Sequence, residues 1–236
     1  ECFLEPVVVL QPQPAAEDAW KVRLADYTTQ YHLGEGAVGD ALCAVDRNGQ
    51  MVTVKVLRPQ RTQQVFVDAF AAEAERLCKL PRHPFVVPLV GASVEAELAY
   101  VCPYTSGQDV AEFVHGLERF AALKERLAVA QGVAEGMAFL HQHGVVHGSL
   151  KPRDVVLDEA LVPHVRDYGF LLAKQANMRE GALFAPEFMA PELFDADFAS
   201  FDAAGDVYSF GVLLWQLFEG RHEGTDVLVV PEPPTQ

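Results

Sequence analysis

Basic residues are scarce in this chain: 18 Lys and Arg stand against 33 Asp and Glu, a formal net charge of −15. Nucleic-acid binding relies on clustered Lys and Arg to displace counterions, so a nucleic-acid partner is excluded and an anionic membrane surface is disfavoured. Cysteine is scarce too. Cys2, Cys43, Cys78 and Cys102 lie far apart with no C-x-x-C pair, which leaves no disulfide framework or cysteine metal site and implies a reducing, intracellular, cytoplasmic setting. Long apolar runs are missing as well: Val7 to Leu10 is far short of the roughly 20 residues that span a bilayer. What is present is core material. Half of the 236 residues are hydrophobic, enough for one large domain or two small lobes.

Residues 1–27 begin with Glu1 and include Gln11, Pro12, Gln13 and Pro14, which reads as an extended lead-in. From Tyr31 to Leu57 the pattern is strand, glycine turn, strand, an Asn48-Gly49 hairpin signal, then the β-branched run Val52 to Val56. Phe66, Phe70, Ala74, Leu77 and Leu80 predict a helix that Pro81 stops. The runs Phe85 to Val90 and Leu98 to Tyr104 are each short enough to be strands. Beyond Gly107 the character turns helical. Leu123, Leu127, Ala130, Ala134, Met137 and Leu140 predict one buried stripe on a helix over 121–141, and another helix is expected near 204–218. Strands first and helices after imply an α+β, two-lobed protein.

Gly34, Gly36 and Gly39 stand on a strand-to-strand turn, where missing side chains let backbone amides approach a phosphate. An ordinary glycine-rich hairpin explains them equally well. Lys55 follows on an apolar strand, half-buried and in want of an anion, unless it is an edge lysine that blunts aggregation. Glu73, on the next helix, is the expected partner, with Glu75 the neighbouring alternative.

At this point the order of elements resembles the eukaryotic-type protein kinase family, with its glycine loop, lysine strand and glutamate helix. Val146-His147-Gly148-Ser149-Leu150-Lys151-Pro152-Arg153-Asp154-Val155-Val156-Leu157 resembles that family's catalytic loop. Asp167-Tyr168-Gly169 is similar to its Asp-Phe-Gly, Met189 to Glu192 to its Ala-Pro-Glu, and Asp206 to Val212 to its central buried helix. The resemblance implies a small lobe over 28–102, a hinge at 103–105 and a large lobe over 106–236 that lacks most of its last helices, so a fragment of a longer chain is expected. It also implies an adenine site on the Pro103 carbonyl and Thr105 amide beside Cys102, and ATP phosphates under the glycine loop and Lys55. Magnesium would lie on Asp154 and Asp167, with Lys151 near a terminal phosphate. His147 becomes a packing residue, not the base of a hydrolase triad, and His141 and His143 become surface residues at a helix end.

The pattern departs from the family where chemistry happens. Ser149 replaces the aspartate that accepts the substrate proton, and a neutral hydroxyl is no useful base at pH 7; losing such a group costs ~10² to 10⁴ in rate. Gly148 replaces an arginine that would pair with a phosphorylated activation loop. The loop itself, from Phe170 to Phe188, has no Ser, Thr or Tyr to carry phosphate, and Ala185 stands where a threonine is common. Asp154 replaces an asparagine but offers a harder ligand to magnesium. These residues imply a pseudokinase that binds ATP and magnesium and acts on protein partners in signalling as scaffold or allosteric regulator. A weakly active Ser/Thr-type kinase and a nucleotide-free interaction fold are the alternatives.

Overall fold

The computed structural model describes residues 19–58, 63–95, 97–115, 123–179, 185–194 and 201–219. The expectations for Val7 to Leu10, for residues 1–18 and for Cys2 lie outside the described residues. The small lobe begins with strand β1 (Thr28–Glu35), which crosses the glycine turn into β2 (Gly39–Val45). A tight turn then leads into β3 (Met51–Leu57). In that turn Asp46 Oδ1 accepts the N–H groups of Asn48 and Gln50, both at 2.8 Å, and Gly49 takes φ of +81°. The Asn48-Gly49 signal is therefore a true hairpin turn, held by an Asx side chain. Helix α1 (Gln64–Cys78) follows, then β4 (Gly91–Val94) and β5 (Leu98–Pro103). The five strands form an antiparallel sheet in the order β1-β2-β3-β5-β4.

Strand alternation gives β3 two distinct faces. Val52 and Val54 pack with Ala44, Ala99 and Val101 under Val22, Leu24 and Tyr27 on the outer side. Thr53, Lys55 and Leu57 point the other way, and with β3 paired on both sides Lys55 is no edge lysine. Phe70, Ala74 and Leu77, at helical spacing, bury one side of α1 in the main core. Two expectations are corrected here. Phe85 to Val90 forms no strand; Val87 N–H donates to the Val165 carbonyl of the large lobe, Val165 N–H donates back to the Phe85 carbonyl, and the strand begins at Gly91. The lead-in is packed from Trp20 onward, because Val22 N–H donates to Ala92 and Ala92 N–H to Trp20, at 3.0 and 2.8 Å.

The large lobe carries β6 (Gln108–Asp109), α2 (Val110–His115), α3 (Leu123–Gln142), β7 (Val155–Leu157), β8 (Pro163–Val165), α4 (Leu171–Arg179) and α5 (Ala203–Glu219). β6, β7 and β8 make a second, three-stranded sheet. The buried face of α3 differs from the expected stripe. Val129, Gly132, Val133, Gly136, Met137 and Leu140 are inside, whereas Leu123 and Leu127 are 65% and 52% exposed. Two glycines set that face: a Cβ on Gly132 would lie 2.5 Å from Pro163, and one on Gly136 would lie 2.8 Å from the Phe85 carbonyl. Bare backbone lets α3 close on β8 and the lobe junction. No helix among the described residues is long and apolar enough to cross a membrane.

Candidate functional site

Four pieces of chain meet between the lobes: the glycine turn, Lys55 on β3, the loop from His147 to Asp154, and Asp167 with the helix that follows it. The loop is braced from below. Asp206 on α5, 2% exposed, accepts the N–H groups of His147 at 2.7 Å and Gly148 at 2.8 Å, and bonds His141 Nε2 at 2.8 Å. That last contact corrects the surface reading of His141, whose ring is turned inward. His147 is fully buried, with Nε2 2.9 Å from the Arg166 carbonyl. Burial, then the charge of Lys174, lower its pKa to about 3, so it is a neutral packing residue that donates through Nε2.

The carboxylates are paired with lysines. Lys151 Nζ reaches both oxygens of Asp154, at 3.0 and 2.9 Å. Asp154 is 4% exposed, which excludes a solvated loop carboxylate. Burial raises its pKa, and Lys151 opposes that rise. Lys55 Nζ, on a residue only 7% exposed, donates to Asp167 Oδ2 at 2.6 Å, while Tyr100 Oη donates to Oδ1 at 3.2 Å. Burial alone would raise the Asp167 pKa, but the charges of Lys55 and Arg166 outweigh it and hold the carboxyl well below the usual range.

The expected pair of Lys55 with Glu73 is therefore not formed. Glu73 instead accepts the Phe170 N–H and lies 3.7 Å from Arg76, and burial raises its pKa. Glu75 is occupied with Lys79 at 2.5 Å. The reason is visible in Phe170, whose φ is +53° and whose ring is sandwiched between Phe70 on α1 and Tyr100 on β5, at centroid distances of 5.0 and 4.6 Å. The Phe170 N–H holds the Glu73 carboxylate, and Asp167 occupies Lys55.

Ser149 lines a cavity with Glu35, Gly36, Lys151, Ala185 and Phe201, and its buried Oγ has no hydrogen-bond partner among the described residues. Pro103 closes β5, opposite Val52, and Thr105 follows it half-buried beside the buried Cys102. Gly34 lies within β1 opposite Ala41, Gly36 lies on the turn near Lys55, and Gly39 opens β2. Gly148 has φ of +75°, and a Cβ there would come within 2.4 Å of Leu171 Cδ2. Sequence reasoning missed four residues of the cleft: Tyr100, Phe170, Lys174 and Asn177. The last two sit three apart on α4, hence on one helix face, which is the only signal the sequence offered.

Residues 27–228 match the family described as protein tyrosine and serine/threonine kinase. The chain belongs to that family. The kinase domain is also 30% identical over 206 residues to Serine/threonine-protein kinase STY46 of Arabidopsis thaliana. That alignment takes in 86% of this chain and 35% of the relative, so the chain spans about a third of the length of the curated kinase it matches. The five-stranded antiparallel sheet and helical second half are the two lobes of the kinase fold.

Proposed function

We propose that this kinase domain is a pseudokinase, which binds ATP with magnesium between its lobes and acts on protein partners through its conformation, as scaffold or allosteric regulator. The observation that carries this reading is Ser149, a neutral hydroxyl without a partner at the position of the family's catalytic base. A serine there accepts a hydrogen bond but holds no proton-accepting charge at pH 7.

The residues kept are those a nucleotide needs. Asp154 and Asp167 are hard-oxygen donors suited to magnesium, and their present partners, Lys151 and Lys55, are cations that a phosphate could take over. Magnesium held on the two carboxylates would neutralise charge on the phosphates. Lys55 would bind a phosphate oxygen, Lys151 would approach the terminal phosphate, the glycine-turn amides would cradle the chain, and the Pro103 carbonyl and Thr105 amide would orient the adenine. Glu73 would position Lys55 once Phe170 withdraws.

A second reading, a nucleotide-free interaction fold, is favoured by the pairing of Lys55 with Asp167 and of Lys151 with Asp154, which already neutralises both lysines. Thermal unfolding separates the two. ATP with magnesium should raise the midpoint of the wild type and leave Lys55→Ala unmoved; no shift in the wild type, with or without magnesium, would favour the nucleotide-free fold.

A further inference from the structure

Lys55 and Tyr100 stand directly opposite each other where β3 and β5 run antiparallel. Residues in that register share one face of the sheet, so neighbouring strands carry both side chains to the same place. Both end on one carboxylate. Lys55 Nζ donates to Asp167 Oδ2 at 2.6 Å, and Tyr100 Oη donates to Oδ1 at 3.2 Å.

The two donors differ in freedom. The lysine ammonium rides on a flexible stem and can turn to another anion. The tyrosine ring, 1% exposed and stacked on Phe170 at a centroid distance of 4.6 Å, is fixed. A buried phenol needs a hydrogen-bond acceptor, but a neutral one suffices: Tyr168, 2% exposed, gives its hydroxyl to the Val87 carbonyl at 2.8 Å. Tyr100 gives its single donor to a charge instead. From this geometry we infer that Tyr100 is a positioning residue for Asp167. Its hydroxyl anchors Oδ1, so that Oδ2 keeps its place when Lys55 turns to a phosphate and becomes the oxygen offered to a divalent cation. The second step rests on the ATP and magnesium reading above; the anchor itself does not. Without Tyr100, departure of the lysine would leave the carboxylate free to rotate. A donor that fixes a ligating carboxylate is worth roughly 10- to 100-fold in metal affinity.

Tyr100→Phe keeps the ring and removes only the hydroxyl. Chemical unfolding reads the anchor without any nucleotide. Tyr100→Phe should raise the unfolding constant of the wild type about tenfold, the scale of a hydrogen bond to a charged group. It should have no such effect in Asp167→Ala, where the hydroxyl has lost its acceptor. Equal effects in the two backgrounds would overturn the proposal. Should Asp167→Ala fail to fold, Asp167→Asn replaces it: a neutral acceptor makes a weaker bond, so the effect should shrink, and an undiminished one overturns the anchor. ATP binding with and without magnesium then reads the second step. Tyr100→Phe should weaken binding about tenfold in magnesium and leave magnesium-free binding unchanged. A purely structural role would weaken both alike; that result, or no loss in magnesium, overturns the positioning of a metal ligand. ATP binding by neither protein, with the two backgrounds still differing in unfolding, refutes the nucleotide reading and keeps the anchor.

Discussion

Asp167 and Asp154 each hold an ion pair with a lysine in the floor of the cleft, whereas Gly148 and Ser149, just before them in the chain, offer bare backbone and an unbonded hydroxyl. Asp154 shares one loop with Gly148 and Ser149, and Asp206 braces the start of that loop through the N–H groups of His147 and Gly148. The two regions differ in what has been given up. On the proposed reading, charges suited to phosphate and metal are retained and compensated internally, while the groups suited to proton transfer and to reading a phosphorylated segment are gone. A buried ion pair must be held in place because breaking it strands a charge in low dielectric. A neutral serine strands no charge, which lets the loop keep its fold without a carboxylate at that position.

The Asp206 brace under the loop that carries Gly148, Ser149 and Asp154 should give the largest effect. Asp206→Ala leaves the buried N–H of His147 and of Gly148 without their acceptor, and a loss of about 4 kcal/mol is expected in chemical unfolding. The retained side comes next. Lys55→Met strands Asp167 and should cost about 3 kcal/mol at neutral pH. The Asp167 carboxyl is held below its unfolded pKa of about 3.9, so its stabilisation is present above that value and fades as pH falls through the folded one. The gap between wild type and Lys55→Met should therefore narrow below about pH 4; a gap independent of pH would show that the pair is not what the lysine supplies. On the divergent side, Gly148→Ala imposes a side chain at φ of +75° and displaces Leu171, for about 1 to 2 kcal/mol. A neutral Gly148→Ala would erase the contrast between the two regions.

The fold was largely legible because its signals are local: Asn48-Gly49 for the hairpin, Phe70 to Leu77 for α1, and unbroken runs for α3 and α5. The buried face of α3 was not, since it is set by Gly132 and Gly136, which count as nothing in a tally of apolar residues. Helix α4 escaped for a related reason: its buried face carries Lys174 and Asn177, polar residues satisfied by carbonyls from distant loops. Lys55, Asp154 and Asp167 stood out in the sequence, but that Lys55 pairs with Asp167 and not with Glu73 is a contact between distant segments that no spacing encodes. The strand expected at Phe85 to Val90 failed because an apolar run bonding to another lobe looks the same in sequence as one bonding in a sheet.

Transfer of labelled phosphate from ATP to a general protein substrate, by the wild type and by Asp167→Asn in parallel, tests the central claim most directly. The proposed pseudokinase reading, with Ser149 in place of a base, predicts wild-type transfer indistinguishable from that of Asp167→Asn. Turnover near the 1 to 100 per second typical of kinases, roughly, and abolished by Asp167→Asn, would contradict it.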